Sequence, residues 1–228
     1  GHKVLVVDLD PQAHLSLSMA CILDPADTSS PGIYELMAGK AELADVIRPV
    51  NSEPEKLHVI PSSMNLTRLE LDNSGRPGAD NLLENALDKL EGNEFILVDC
   101  PPSLGLLTIS ALVFAREVII PLKGDFLALQ SLSKLLETIQ HIQSKLNRDL
   151  DILGILLTQH TRRKKLAREV ASKINQHLPD KLFETYIREN VALAEAPSFC
   201  QTIYDYRPNS NGSLDHLSLA REIVRRGS

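Results

Sequence analysis

Five short apolar runs without alternation constrain the fold more than any other feature of the chain: "KVLVVD", "LHVIP", "EFILVD", "EVIIP" and "DILGILLT". A strand with one wet face alternates apolar and polar residues, whereas a strand covered on both faces reads as a continuous apolar run. Strands of the second kind belong in a parallel sheet with helices on each side. Segments of helical period separate the runs. In "GADNLLENALDKL", Leu82, Leu83, Ala86, Leu87 and Leu90 fall on one stripe, and Gly92 ends it. "FLALQSLSKLLETIQHIQSKL", "TRRKKLAREVASKINQHL" and "SLDHLSLAREIVRR" are further helical segments. Strand and helix therefore alternate, which predicts an α/β chain with a doubly wound, mostly parallel sheet and helices on both faces. The turn-rich stretches "DPADTSSPG" and "NSGRPG" read as insertions rather than linkers, so residues 1–228 are expected to form a single domain.

Composition removes several function classes. No apolar run approaches the roughly 20 residues of a membrane span, and no signal-peptide pattern is present. Cys21, Cys100 and Cys200 form no C-x-x-C pair, which suits a reducing cytoplasm, and the seven histidines lack metal-ligand spacing. Lys plus Arg number 24 against 30 Asp plus Glu, a net charge of -6. Bulk charge thus argues against indiscriminate nucleic-acid binding and leaves only a local basic patch for that role.

Two of the predicted strands end in acid. "VLVVDLDPQ" ends with Asp8 and Asp10, and "EFILVDCPPSLG" with Asp99. Ligands of a parallel α/β sheet bind beyond the carboxyl ends of its strands. Four apolar residues followed by Asp are the form of strand that brings a carboxylate near magnesium on a nucleotide phosphate. One carboxylate acting through water suffices, because that ion keeps several waters. A carboxylate two residues beyond a strand end can also position and deprotonate an attacking water. Pro101 and Pro102 turn the chain across the site, and Gly105 allows close approach to a phosphate or partner. An Asp at a strand end can instead cap a helix or turn, and a single such end would be read that way.

These segments resemble the ParA/MinD group of P-loop ATPases with a deviant Walker A motif, and most nearly its ParA (Soj) partition branch. "VLVVDLDPQ" is similar to that family's switch I segment, and "ILVDCPPSLG" to its Walker B and switch II. "ILLTQHTRR" and "ENVALAEAPSFCQTIYDYRPNSNG" resemble the later nucleotide-side strand and the C-terminal signature. The resemblance implies ATP and magnesium as ligands, Asp10 as the water-activating carboxylate and Asp99 as the magnesium-side one, acting through water. Asp8 becomes a structural residue behind them, and Pro11, Gln12, Pro101, Pro102 and Gly105 belong to the switch segments. It also implies a homodimer closed by ATP, non-specific DNA as a ligand, and a ParB-like partner that stimulates hydrolysis. A MinD-like positioning ATPase and a non-catalytic module of the same fold are the alternatives. The terminal "SLDHLSLAREIVRRGS" is short for a membrane-binding helix, so no membrane partner is expected.

The family's K-G-G-x-G-K-T-T loop occurs nowhere in the sequence. Its backbone N–H groups and lysine would offset the phosphates. The chain is therefore expected to lack the family's first strand, loop and helix, and alone to bind ATP weakly or not at all. The candidate DNA surface comprises Arg162, Arg163, Lys164 and Lys165, together with Arg188, Arg221 and Arg225. Cations at a helix N-terminus oppose the macrodipole, so those of "TRRKKLAREV" do not assist helix formation. Glu189 and Ala192 stand where the family usually has arginines, which weakens the expectation of DNA binding.

Overall fold

Val4–Asp8 form strand β1, whose side chains point alternately to two faces of a sheet. Along the chain follow α1 (His14–Ala20), α2 (Ile33–Met37), α3 (Leu43–Val46), the two-residue β2 (Arg48–Pro49), β3 (Leu57–Ile60) and α4 (Asn65–Asn73). A 3-10 turn at Ala79–Asn81 leads into α5 (Leu82–Leu87), then β4 (Phe95–Asp99) and α6 (Leu106–Phe114). This computed structural model describes residues 1–20, 30–50, 53, 55–124, 126–159 and 165–227. It divides into two compact units, Gly1–Phe114 and Ala115–Ser228.

In the first unit the strand order is β2-β3-β1-β4. β1 runs parallel to both β3 and β4, and only the edge strand β2 is antiparallel. On one face Leu5 and Val7 are enclosed by Ile33 and Leu36 of α2, Leu66 of α4, Leu83 of α5 and Leu107 of α6. On the other, Val6 and Val59 pack with Leu15 and Met19 of α1. Helices thus cover both faces of this sheet, the physical reason its strands read as unbroken apolar runs. Helix α5 is shorter than its apolar stripe. It ends at Leu87, and Leu90 reaches the same core through a turn in which its N–H donates to the Leu87 carbonyl (2.9 Å).

The second unit contains β5 (Glu117–Lys123), α7 (Phe126–Lys145), β6 (Asp151–Thr158), α8 (Lys165–His177), α9 (Val191–Glu195), α10 (Ile203–Tyr206) and α11 (Asn211–Arg226), with a 3-10 turn at Ala196–Phe199. β5 and β6 pair in parallel, with a register shift between Val118 and Ile119. Strand pairing therefore falls into two sheets, one in each unit. The outer edge of β6 is covered by the segment 181–187. Ile155 N–H donates to Lys181 O (2.6 Å), Phe183 N–H to Ile155 O (3.0 Å) and Ile187 N–H to Leu157 O (2.9 Å). Arg226 of α11 closes over this segment, its guanidinium 4.4 Å from the Phe183 ring centroid and donating to the carbonyls of Leu153, Asp180 and Leu182.

Gly154 lies where that segment crosses β6. A Cβ there would sit 2.5 Å from Phe183 Cε2 and 3.0 Å from the Lys181 carbonyl oxygen. Gly154→Ala is expected to destabilise the protein by about 1–3 kcal/mol through overpacking. Leu71→Ala, at a side chain left largely exposed, should stay within about 0.5 kcal/mol of the parent. Urea denaturation of the two variants checks both expectations.

Candidate functional site

Because β1 and β4 are parallel and in register, their carboxyl ends finish together, with Asp8 opposite Asp99. The chain then leaves β1 through a tightly tied loop. Leu9 N–H donates to the Asp99 carbonyl (2.8 Å), Asp10 N–H to Asp8 Oδ1 (3.1 Å), and Gln12 N–H to Asp10 Oδ1 (2.9 Å). Ala13 N–H closes the turn on the Asp10 carbonyl (2.8 Å), with Ala13 itself left-handed at φ +54°. A non-glycine residue holds that conformation only when its surroundings over-determine it. Pro11 is half-buried and Gln12 exposed in this turn.

The three acids have different surroundings. Asp8 is fully buried, and its Oδ2 accepts hydrogen bonds from Ser16 N–H (2.8 Å) and Ser16 Oγ (2.6 Å). With Oδ1 engaged by Asp10, both of its oxygens are committed to holding α1 and the loop. The position thus acts as a cap for the first turn of α1, the role open to any acid at a strand end. Asp10 has one oxygen engaged by Gln12. Asp99 keeps more than a third of its surface accessible, yet it is packed closely enough for burial to raise its carboxyl pKa. The negative charges of Asp8 and Asp10 push the same way, and His14 acts in the opposite direction. Among the described residues no ion pair involves Asp8, Asp10 or Asp99. Among the described residues, three carboxylates thus lie near the ends of β1 and β4 with no ion-pair partner, which is an environment suited to a cation.

The loop after Asp99 is fixed from two sides. Thr108 Oγ1 donates to the carbonyls of Pro101 (3.3 Å) and Ser103 (2.7 Å). Glu70, on α4, accepts from Leu107 N–H (3.4 Å) near the start of α6. A Cβ at Gly105 would lie 2.3 Å from Glu70 Oε1, so a side chain there would have to displace the end of that flexible carboxylate. Pro102 is exposed, Pro101 half-buried. Burial and the charges of Asp99 and Asp10 push the Cys100 thiol up to about 12, so it stays protonated and is no nucleophile at neutral pH.

The expected basic surface is described only in part. Arg162, Arg163 and Lys164 lie outside the described residues, and Lys165 opens α8. Arg188 is bound by Asp215 through its guanidinium (2.6–3.2 Å) and its backbone N–H (3.0 Å). That pairing places a nearly buried carboxylate against the guanidinium, which itself stays partly exposed. Arg225 pairs with exposed Glu184 (3.1 Å), and Arg221 is exposed on the same helix.

Sequence reasoning missed Ser16, Ser62, Glu70, Thr108, Asp215 and Glu222. None stands in a motif, and only their tertiary partners give them a role. A cavity of about 310 Å³ between α7 and α8 is lined by Leu129, Leu132, Leu136, Ile174 and Leu178 and carries no carboxylate, so it does not share the chemistry of the strand tips. Among the described residues no three His, Cys, Asp or Glu side chains are arranged to cage a metal. A cation here would be held as magnesium is, by one or two carboxylates with retained water. No helix among the described residues is long and apolar enough to cross a membrane.

The AAA-domain family matches residues 1–152. The chain is 36% identical, over all of its length and 88% of the relative, to the sporulation initiation inhibitor protein Soj of Bacillus subtilis. It is 38% identical to the chromosome-partitioning ATPase Soj of Treponema pallidum, covering 99% of this chain and 87% of that one. Among solved structures, a cobyrinic acid a,c-diamide synthase of Mycobacterium smegmatis with bound ATP analogue and magnesium superposes with a TM-score of 0.80. It is 29% identical, covering 99% of this chain and 83% of that one.

The acids of the two units are expected to respond to pH with opposite sign. For Asp215 and Glu222, burial works to raise the pKa. It is outweighed for Asp215 by the bonds and charge of Arg188, and for Glu222 by Thr185, the Glu184 N–H and Arg226, so both are lowered. Their stabilisation is complete above the ordinary carboxylate range of about 4 and is lost as pH falls through the depressed folded values. Asp99 is raised, so its ionised form costs stability at neutral pH, and that cost disappears on acidification. At neutral pH, Asp215→Asn should lower stability by about 1–3 kcal/mol, and Asp99→Asn should raise it. Denaturation midpoints measured at neutral and acidic pH should show both differences shrinking in acid.

Proposed function

The chain belongs to the AAA-domain family of Soj and ParA partition proteins, and from that membership we propose that it acts as an ATPase of chromosome or plasmid partition. The observation that carries this reading is the register of β1 and β4, which ends both strands in acid at one rim. Asp10, with one carboxylate oxygen engaged by its own turn, is the residue that orients the attacking water and takes its proton, general-base work worth about 10²–10⁴ in rate. Asp99 is the residue that would hold magnesium, through water. When bound, that ion would neutralise charge developing on the transferred phosphoryl group. Asp8 holds the backbone that carries Asp10. The turn at Pro11 and Gln12, and the loop Pro101–Gly105, are the two segments that would respond to the γ-phosphate.

The reading treats residues 1–228 as one ATPase domain, because the AAA-domain match runs from residue 1 to residue 152 and crosses the boundary after Phe114. ATP would close a homodimer, since a nucleotide shifts an equilibrium only through contacts made in one state, and its γ-phosphate is such a contact. The dimer would hold non-specific DNA through Arg162, Arg163, Lys164 and Lys165 with Arg221 and Arg225, and a ParB-like protein would stimulate release by hydrolysis.

In the full-length natural protein, Asp10→Ala should lower kcat for ATP by about 10²–10⁴ while a fluorescent ATP analogue still binds. Undiminished turnover would overturn the role given to Asp10. For DNA, affinity should fall steeply with salt, and Arg221→Ala should lower the slope of log affinity against log salt by about 1. A flat salt response would remove the electrostatic surface.

A further inference from the structure

Two serines that belong to no motif connect the buried acid of β1 to the backbone of Asp10. Ser16 Oγ, on α1, donates to Asp8 Oδ2 at 2.6 Å. Ser62 N–H, just past β3, donates to that same Ser16 Oγ at 2.8 Å. Ser62 Oγ then donates to the Asp10 carbonyl at 2.6 Å. The direction of each bond is fixed by chemistry. A carboxylate only accepts, so the Ser16 hydroxyl spends its proton on Asp8 and offers a lone pair to Ser62 N–H. That bond sets Ser62, whose hydroxyl proton is then directed to Asp10. Asp8 and Ser16 are buried, so this series is shielded from the exchange with water that weakens surface bonds.

The end point matters because the Asp10 carbonyl has a second partner. It also accepts Ala13 N–H, in the turn where Ala13 is left-handed at φ +54°. The turn is strained, and among the described residues Ser62 is the one side chain from outside the segment 8–16 that holds the Asp10 backbone. We propose that Ser16 and Ser62 are positioning residues for Asp10, acting in series from Asp8 to fix the main chain from which its carboxylate projects. The proposal rests on the reading of Asp10 as the water-orienting group. Misplacement of such a group by about 1 Å can cost on the order of 10²-fold in rate.

The test uses the full-length natural protein, with the parent and Asp10→Ala measured alongside. Ser62→Ala should lower kcat for ATP about tenfold or more, with KM within about twofold because phosphate contacts are untouched. Ser62→Thr, which keeps the hydroxyl, should restore kcat. Ser16→Ala should act in the same direction, and the double variant should be little worse than the poorer single one, as expected for members of one series. A merely structural role would lower the melting temperature and leave kcat intact at temperatures where the variant is folded. Parental kcat in Ser62→Ala, failure of threonine to rescue, or additive losses would each overturn the proposal. Amide hydrogen exchange at Ala13 gives a readout independent of activity. Its protection should fall in Ser62→Ala and return in Ser62→Thr, and unchanged protection would equally overturn the proposal. If the parent shows no turnover, or Asp10→Ala keeps it, the reading of Asp10 fails, and the exchange result still decides whether the serines hold that backbone.

Discussion

The parallel, in-register pairing of β1 with β4 is the constraint on which the rest of the first unit depends. Parallel strands begin and end on the same sides of a sheet, so two strands of equal register deliver their last residues to one rim. Here those residues are Asp8 and Asp99. A slip of one residue would turn Asp8 towards the opposite face and break the Leu9-to-Asp99 bond that continues the ladder. The apolar stems Leu5 and Val7 hold the register by burial, so packing energy in the core sets the geometry of the charged rim.

Among the described residues, charge at that rim is concentrated and no ion pair compensates it. Asp8 is buried with both oxygens engaged by the loop and α1, which makes it a fastening rather than a ligand. Asp99 bears the electrostatic consequence, as burial and two neighbouring acids raise its pKa. A rim of this kind sacrifices some stability in the isolated chain, a cost that a bound cation would relieve. The second unit handles its buried acids in the opposite way. Asp215 and Glu222 accept backbone N–H groups of segment 184–188 and pair with Arg188 and Arg226, and there the negative charge stabilises the fold.

Glycine illustrates how a locally legible residue also meets a tertiary neighbour that sequence does not announce. Gly105 reads in sequence as room for a phosphate or partner, and the fold also brings the end of the Glu70 side chain beside it. Arg188 is a similar case. Its place in the chain suggests a cation that could meet DNA, and a helix some 27 residues later brings Asp215 against it. Side chains that act through a distant partner carry no local signature, and periodicity reports only which face of an element is apolar.

The sequence by itself determined the alternation of strand and helix, the burial of strands on both faces, and the acidic ends of β1 and β4, because these follow from local patterning and residue chemistry. The partnership of those ends, the bonds that run from Asp8 through Ser16 and Ser62 to the Asp10 carbonyl, and the pairing of Arg188 with Asp215 were decided only by the tertiary structure. The reason is physical. Hydrophobic period is written in neighbours three or four residues apart, while a hydrogen bond between Ser62 and Asp10 joins residues 52 positions apart and exists only once the sheet has chosen its register.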